Sequence, residues 1–325
     1  MTTRPATVAL LLLLLLLLGL AAPETCAQSV PGSQKPSGAA DAPIFFDAWD
    51  YNNPKTAWNI AMVSLSGATK VLAGTDATET YPFRFPREPA VGFIVERKNS
   101  ETRQVFKYDL ATSVTTDLGV TLKRGTICDV SPDGKRLACA DDTGDTRQIF
   151  VIDTATRERR QITQSAKNNC LDPSWSPDGK SIAYFTGPDD DQVGGEVKPK
   201  GDHLVIYDVE SGKSRLLTKT PKTRDQSPRW SPDGSWIAFH RAAKKRGAWH
   251  IWLVRPDGSG ETELTTGELE HTYPSWSPDG GQIAFQCYVP DPDAFDICAV
   301  DVAGKQVKQV TLTPKVDERH PVWGR

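Results

Sequence analysis

The sequence predicts an all-β fold: a six-bladed β-propeller with four antiparallel strands in each blade. Three observations predict this fold. One turn motif recurs along the chain, short apolar strands follow each copy, and the two chain ends have the patterns of complementary parts of a single blade. A repeat of roughly 40–50 residues that contains several strands is typical of propeller blades.

The recurring motif has four close copies: DVSPDGKRLAC from residue 129, SWSPDGKSIAY from 174, RWSPDGSWIAF from 229 and SWSPDGGQIAF from 275. Their turn serines are 45, 55 and 46 residues apart; they are Ser131, Ser176, Ser231 and Ser277. A degraded copy, YPFRFPREPAVGFIV, begins at residue 81, and the final residues HPVWGR start another. A single blade cannot bury both of its faces, so the repetition predicts a closed ring.

Each copy supplies four strands, which we name a to d from the central channel outward. Pro, Asp and Gly of the Ser-Pro-Asp-Gly segment favour a tight turn between strands a and b. Apolar segments such as SIAYF, HLVIYDV and SRLLT then predict strands b, c and d. We expect the tryptophans ahead of the turn to pack between neighbouring blades rather than to bind a ligand; they are Trp175, Trp230 and Trp276.

The chain ends predict how the ring closes. HPVWGR has the pattern of a strand a with no strand b after it. The segments APIFFDAWD, WNIAMVSLSG and TKVLAG have the patterns of strands b, c and d with no strand a before them. Joined, the two ends make one complete blade, which with five internal units gives six.

Three segments are expected along the chain: a secretory signal peptide over residues 1–27, a flexible linker over 28–42 and the propeller over 43–325. An early arginine, a leucine run and small residues form the layout of a signal peptide, and a retained membrane anchor is the alternative. The linker is rich in Pro, Gly, Ser and Ala and adds little to a core. We therefore expect a periplasmic or secreted monomer that is at most peripheral to a membrane.

Four cysteines predict two disulfides in an exported protein. Cys128 and Cys139 flank the first Ser-Pro-Asp-Gly turn, and Cys287 and Cys298 flank a b–c loop. Opposite residues of an antiparallel hairpin have Cα atoms about 4.5–5.5 Å apart, which permits a bridge. Buried free thiols are the alternative, and Cys170 has no predicted partner.

Charge and motifs narrow the chemistry. A net charge of -3 disfavours a nucleic-acid partner. The sequence contains no G-x-S-x-G, H-E-x-x-H or C-x-x-C pattern and no phosphate-binding glycine loop, so no catalytic residue is predicted. The aspartate run within residues 187–202 predicts either a calcium site or a solvated loop. No other cofactor is expected, and no metal ligand is assigned.

The loops that lead into strand a predict a binding site at one mouth of the channel, where they converge with the b–c loops. Carboxyl, imidazole and phenol side chains recur there, three residues and one residue before the first proline of the motif. The predicted partner-binding residues are Glu79, Tyr81, Asp172, Asp225, His271, Tyr273, Glu318 and His320. Such a set suits a peptide or a polar ligand, although acidic loop residues also cap turns and meet water.

The repeat Pro-x-Trp-Ser-Pro-Asp-Gly-x-x-Ile-Ala-Phe resembles that of TolB-like propellers. These occur in the periplasmic TolB component of the Tol-Pal envelope system and in prolyl oligopeptidase-like enzymes. The resemblance covers residues 43–325 and implies the propeller fold. TolB carries an α/β domain ahead of its propeller, whereas a short linker is expected here.

The resemblance implies a non-catalytic binding or scaffolding propeller that engages a protein or peptide partner in the cell envelope. Two alternatives remain open. One is a carbohydrate-binding module, suggested by Trp249, Tyr288 and Phe295 in the b–c loops. The other is a lyase acting on glycans or uronates, since some TolB-like propellers are lyases.

Overall fold

The computed structural model describes residues 42–52, 57–65, 69–72, 77–124, 126–188, 201–221, 223–242, 248–290 and 293–324. In these ranges the chain forms six four-stranded antiparallel sheets. The predicted six-bladed propeller is therefore confirmed. The predicted signal peptide, nearly all of the predicted linker and the aspartate run of the predicted calcium loop lie outside the described residues.

Blade 1 is built from both ends of the chain, as predicted. Its strands are β24 (Val316–Trp323), β1 (Ile44–Asp50), β2 (Asn59–Val63) and β3 (Thr69–Val71). Strand β24 pairs antiparallel with β1, with Ile44 opposite Trp323 and Asp50 opposite Val316. The Trp323 indole N–H donates to the Ala42 carbonyl at 3.1 Å, so the last strand is also bonded to the chain two residues before the first strand.

The internal blades follow one another along the chain. Blade 2 contains β4 (Thr78–Arg84), β5 (Ala90–Glu96), β6 (Arg103–Asp109) and β7 (Thr115–Leu122). Blade 3 contains β8 (Cys128–Val130), β9 (Arg136–Asp142), β10 (Arg147–Asp153) and β11 (Arg159–Gln161). Blade 4 contains β12 (Asn168–Trp175), β13 (Ser181–Pro188), β14 (His203–Asp208) and β15 (Ser214–Leu216).

The remaining two blades complete the ring. Blade 5 contains β16 (Asp225–Trp230), β17 (Ile237–Ala242), β18 (Trp249–Val254) and β19 (Thr262–Glu263). Blade 6 contains β20 (His271–Trp276), β21 (Gln282–Val289), β22 (Ala294–Asp301) and β23 (Val307–Gln309). Within the described ranges, no helix has the length and hydrophobicity needed to cross a membrane.

The Ser-Pro-Asp-Gly segments are turns held by their own side chains. In the turn of blade 4, the Ser176 hydroxyl donates to the Asp178 carboxylate at 2.6 Å and accepts the Ser181 N–H at 2.9 Å. Gly179 closes this turn with a φ of 71°, a conformation that costs glycine little. The turns of blades 3, 5 and 6 repeat these contacts, so the motif is explained by architecture.

Six apolar clusters form the core, and each draws its residues from two neighbouring blades. Trp175 packs on Ala138 and Ile149 of the preceding blade. Trp276 packs in the core between blades 5 and 6, and Trp323 in the core between blades 6 and 1. Trp230 is half-buried and packs against the core between blades 4 and 5. The predicted packing of the tryptophans between blades is confirmed, and the ring is continuous because every blade shares both of its faces.

Both predicted disulfides are present. Cys128 and Cys139 are directly opposite in the β8–β9 ladder, with Cα atoms 4.2 Å apart. Cys287 and Cys298 lie on β21 and β22 and are diagonal neighbours rather than opposite residues, with Cα atoms 5.9 Å apart. Cys170 is a buried free thiol whose pKa is raised by burial.

Candidate functional site

Strand a carries a bulge beside the channel in five of the six blades. The ladder to strand b shifts register across two residues of β4, β12, β16, β20 and β24. The second of these is the motif proline, which has no N–H to lose from a ladder. The first has a left-handed backbone with φ between 48° and 53°; these residues are Tyr81, Asp172, Ser227, Tyr273 and His320. We call them the bulge ring.

One half of the bulge ring is aromatic. The His320 imidazole lies between two phenols, with its centroid 4.6 Å from that of Tyr81 and 4.4 Å from that of Tyr273. His320 Nδ1 lies 3.0 Å from a carboxylate oxygen of Asp47, a buried residue of β1. A carboxylate accepts, so Nδ1 carries the hydrogen. The ring is thereby held in one orientation between two blades.

The other half of the bulge ring is a buried polar pair. The Ser227 hydroxyl donates to the Asp172 carboxylate, and both side chains are buried. Burial raises the pKa of Asp172, while Arg229, Ser227 and His320 act in the opposite direction. Burial also raises the pKa of Tyr273, with the Asp172 carboxylate adding to the effect. The Ser227–Asp172 bond joins blades 4 and 5, and the ring contacts of His320 join blades 1, 2 and 6.

Polar side chains on strand b support this centre. His240 Nδ1 accepts the backbone N–H of Tyr273 at 3.2 Å, and Gln286 Oε1 accepts that of His320 at 3.1 Å. Burial lowers the pKa of His240 to about 3, so the imidazole is neutral and its Nδ1 is free to accept. In both cases strand b of one blade supports the bulge residue of the next.

Sequence reasoning missed these supporting residues, although a signal exists. His240, Gln286 and Asp47 are each the fourth residue of an aligned segment: IAFH, IAFQ and IFFD. The other blades carry Ile94, Ala140 and Phe185 at that position. A polar residue there, in an otherwise apolar strand, indicates contact with the channel.

Below the bulge ring, at the end formed by the Ser-Pro-Asp-Gly turns, the channel holds a cavity of about 340 Å³. Asp129, Ser174 and Ser275 line it. Their side-chain oxygens accept the backbone N–H groups of Trp175, Trp230 and Trp323, the corresponding residues of the following blades. These side chains therefore join neighbouring a strands, and they explain the Asp or Ser that stands at this position in blades 3, 4 and 6.

On the opposite side of the bulge ring, a polar pocket of about 280 Å³ opens between blades 2, 3 and 4. We call it the mouth pocket. Tyr81 belongs to both the bulge ring and this pocket. The remaining lining residues are Arg103, Arg124, Thr126, Asp142, Gly144, Asp145, Thr146, Arg147 and Asn169. Connecting loops and one ring phenol thus meet at the mouth that the sequence indicates.

The eight residues predicted at the mouth fall into two groups. Tyr81, Asp172, Tyr273 and His320 meet in the bulge ring. The other four, two positions earlier, are buried away from it: Glu79, Asp225, His271 and Glu318. Residues two apart share a face in a regular strand, but the left-handed bulge residue breaks this alternation. The expectation that both positions face one opening therefore differs from the structure.

Each residue of the buried group has its own environment. Asp225 holds Arg241 with two bonds of 2.6 and 2.9 Å. His271 Nδ1 lies 3.0 Å from the Thr265 hydroxyl, and burial lowers the pKa of His271 to about 4. Glu79 borders a separate, largely apolar cavity. Burial raises the pKa of Glu318 to about 7.

The structure also bears on two other hypotheses from the sequence, a sugar-binding set of aromatic residues and a metal site. The aromatic rings proposed for sugar binding are partly covered, because the Arg224 guanidinium lies 5.3 Å from the Trp249 ring centroid and that of Arg319 lies 5.0 Å from Phe295. The Tyr288 hydroxyl donates to Asp293 at 2.5 Å. Among the side chains that the structure describes, no group of three or more His, Cys, Asp or Glu is arranged to hold a metal ion.

The fold and its centre define a class: a six-bladed propeller whose channel is lined by polar bulge residues. The TolB beta propeller domain model matches residues 95–324. The chain belongs to this family of TolB-type propellers.

Two curated relatives match part of the chain. The protein Atu1656 of Agrobacterium fabrum is 30% identical over 145 residues, which are 43% of this chain and 44% of that protein. The peptidase YuxL of Bacillus subtilis is 28% identical over 171 residues, covering 44% of this chain and 26% of YuxL. The matched part is thus less than half the length of either relative.

Solved structures share the fold. TolB from Acinetobacter baumannii superposes with a TM-score of 0.70 at 17% identity, covering 89% of this chain and 68% of that one. A TolB-like protein from Agrobacterium tumefaciens gives 0.60 at 23% identity, covering 83% and 88%. An oligogalacturonate lyase in complex with manganese gives 0.54 at 19% identity, covering 83% and 74%. At these identities the likeness describes the fold alone.

Proposed function

We propose that the protein is an exported, non-catalytic propeller that binds a protein or peptide partner of the cell envelope at the loop mouth of its channel. The observation that carries this proposal is the mouth pocket, whose loops and arginines surround the Tyr81 phenol. Concave sites with a few converging polar groups are typical binding sites. Membership of the TolB-type family supports a binding role of this kind.

Export is supported by the two disulfides and by the leucine-rich residues at the start of the chain. Sequencing the amino terminus of the protein recovered from an oxidising compartment tests it. A start near Gln28 is expected, and retention of residues 1–27 in the cytoplasm contradicts export.

Partner capture tests the binding role and its place. The mature chain, immobilised through its amino terminus, is exposed to an envelope extract, and the captured protein is quantified. Asp145 is exposed at the mouth pocket, and Lys180 is exposed in a Ser-Pro-Asp-Gly turn on the opposite face. Asp145→Trp fills the mouth and should reduce capture at least about fivefold, since loss of a binding hot spot costs roughly 1–3 kcal/mol. Lys180→Trp is the matched control and should leave capture unchanged.

Two outcomes contradict this proposal: equal capture by both variants, or loss with Lys180→Trp alone. Tyr273 and His320 are less suitable targets. Their rings pack against each other at the channel centre, so truncating them also alters stability.

A second candidate is proton-transfer chemistry on a uronate, as in a lyase. The Asp47–His320 pair favours it, because a carboxylate-oriented imidazole between two phenols can move a proton. Elimination from oligogalacturonate produces an unsaturated sugar that absorbs ultraviolet light. If such product accumulates with the wild type and not with His320→Asn, the enzymatic alternative replaces the binding role.

A further inference from the structure

We infer that the mouth pocket recognises an isolated carboxylate group on an acidic peptide, with Arg124 as the principal contact. This inference rests on the proposed function and names the chemistry of the partner. The pocket brings Arg103, Arg124 and Arg147 together around the phenol of Tyr81. Guanidinium groups match carboxylates because their N–H donors are arranged as a planar fork.

Buried polar side chains fix the backbone that carries two of these arginines. The Asp141 carboxylate accepts the N–H of Arg124 at 3.2 Å and that of its neighbour Lys123 at 2.7 Å. The Asn169 side-chain oxygen accepts the N–H of Arg147 at 2.8 Å, across the boundary between blades 3 and 4. Asp141 is 1% exposed and Asn169 is 4% exposed. Both arginines therefore project from positions set by the core of the propeller.

Two arginines of this pocket, Arg103 and Arg124, form a described ion pair, and Arg124 has the more exposed side chain of the two. Its side chain is 77% exposed, and its nearest carboxylate oxygen, on Asp142, is 3.8 Å away. The other oxygen of Asp142 accepts the Gly144 N–H at 2.8 Å. This bond opposes a closer approach of the Asp142 carboxylate to Arg124. A ligand carboxylate can approach Arg124 more closely than Asp142 does.

The Tyr81 phenol completes the pocket as a hydrogen-bond donor. Burial and the Asp47 carboxylate raise the pKa of Tyr81, so its hydroxyl stays protonated at neutral pH. Arg103 and Arg147 line the same pocket as Tyr81, and their charges lower its pKa, against the effect of burial. Tyr81 lines the pocket together with the arginines, so a carboxylate bound there can also accept from a neutral donor.

The charge pattern favours a single carboxylate over a dense polyanion. Asp142 and Asp145 line the same pocket as the three arginines. They repel a chain that carries a negative charge on every unit, as an oligouronate does. Sugar chains also bind on exposed aromatic faces, and arginines partly cover the rings of Trp249 and Phe295. An acidic peptide with spaced charges fits these restrictions best.

Titration of the full mature chain with defined probes tests the inference. The probes are Ac-Ala-Ala-Glu-Ala-Ala-NH2, its glutamine counterpart, Ala-Ala-Ala-Ala-Ala with a free carboxyl terminus, and trigalacturonate. Binding is followed by NMR of the arginine Nε–H signals, with Arg124 assigned from the Arg124→Gln variant. We expect the glutamate peptide or the free-carboxylate peptide to shift the Arg124 signal at millimolar concentration, and the glutamine peptide to leave it unchanged. Which of the two shifts it identifies a side-chain or a terminal carboxylate as the source.

The matched variants are Arg124→Gln and Lys167→Gln, which remove one positive charge each from neighbouring exposed loops. Binding to these variants is read from the Arg103 and Arg147 signals. Arg124→Gln should weaken binding of the carboxylate peptide at least about fivefold, the loss expected for a charge-assisted contact. Lys167→Gln should weaken it less than about twofold, as for a surface charge outside the pocket. The inference is overturned if the glutamine peptide binds equally, if no peptide shifts Arg124, if both variants lose equally, or if trigalacturonate binds more tightly.

Partner capture separates this inference from the proposed function. If Asp145→Trp abolishes capture while Arg124→Gln does not, the mouth binds a partner but not through this carboxylate contact. If neither change affects capture, both proposals are wrong.

Discussion

The Glu318 carboxyl group is buried at the contact of blades 1 and 6, and one of its oxygens has no hydrogen-bond partner among the described residues. Burial is the largest cause of its raised pKa, and the Asp296 and Asp317 carboxylates add to it, while Thr311 and Thr313 act against it. The folded pKa is about 7, compared with 4.5 for an ordinary glutamate. The folded protein therefore holds a proton here that the unfolded chain releases.

This proton makes stability depend on pH. The contribution of Glu318 is fully present below about pH 4.5 and is lost as the pH rises through about 7, because between these values the folded state binds a proton that the unfolded state has released. Glu318→Gln keeps the neutral form and should raise the free energy of unfolding at pH 8 by about 3 kcal/mol. At pH 4 the same substitution should change the free energy of unfolding little. Denaturant unfolding at both pH values measures this.

The control for this prediction is Glu101→Gln, because Glu101 is an exposed loop residue. Its pH dependence should match that of the wild type. If Glu318→Gln also keeps the wild-type slope between these pH values, Glu318 is ionised in the folded protein and this account of its burial is wrong.

Strand b shows what an element contributes to the channel. Where strand a bulges, the N–H of the bulge residue leaves the ladder and needs another acceptor. His240 and Gln286 supply it to Tyr273 and His320 of the following blades. A single polar position in a buried strand thus couples the packing of one blade to the channel surface of the next.

Local patterns made most of the fold predictable. The turn motif, the strand alternation and the cysteine spacing are all encoded within segments of about a dozen residues, so the blades, the shared blade 1 and both disulfides are confirmed by the structure. The channel surface was harder to predict. Asp225 and Ser227 lie two residues apart, yet only Ser227 joins the bulge ring, whereas Asp225 pairs with Arg241. The left-handed backbone of Ser227 separates their directions, and this conformation depends on tertiary contacts that the local sequence does not show.

The first disulfide reinforces the shortest strand a of the ring. Strand β8 has three residues and pairs with β9 at only three positions, whereas β21 and β22 pair at eight. Replacing either cysteine pair by alanine should cost about 2–3 kcal/mol, since both close loops of the same length. Only the Cys128→Ala/Cys139→Ala variant should also allow local opening at Asp129 and Val130.

Hydrogen exchange of the backbone amides checks this difference. Protection at Asp129 and Val130 should fall more in this variant than protection of the β21–β22 amides falls in Cys287→Ala/Cys298→Ala. Equal losses of protection in the two variants contradict a local role for the first bridge.

At the scale of the whole molecule, the ring is stabilised by contacts that no blade makes alone. Every apolar cluster is shared by two blades, so opening the ring at one place exposes two faces. Along strand β12, Asn169 faces the mouth pocket, Asp172 belongs to the bulge ring and Ser174 lines the opposite cavity. The bulge ring therefore lies between the two openings, and its shape depends on closure of the ring.

Closure depends on the last strand. A chain ending at Glu318 loses Trp323, which is 1% exposed, together with its pairing to Ile44 and its bond to the Ala42 carbonyl. It also uncovers Phe46 and Ala284 in the core between blades 1 and 6. Loss of a buried tryptophan alone costs about 3–5 kcal/mol, and the unpaired β1 edge adds to this. Thermal unfolding should show a clearly lower midpoint than the full chain, with increased aggregation. A chain ending at Trp323 is the matched control and should stay close to the full chain, since among the described backbone hydrogen bonds it loses that of the Gly324 N–H to the Pro43 carbonyl. If both truncations melt at the temperature of the full chain, pairing of the two chain ends does not hold the ring closed.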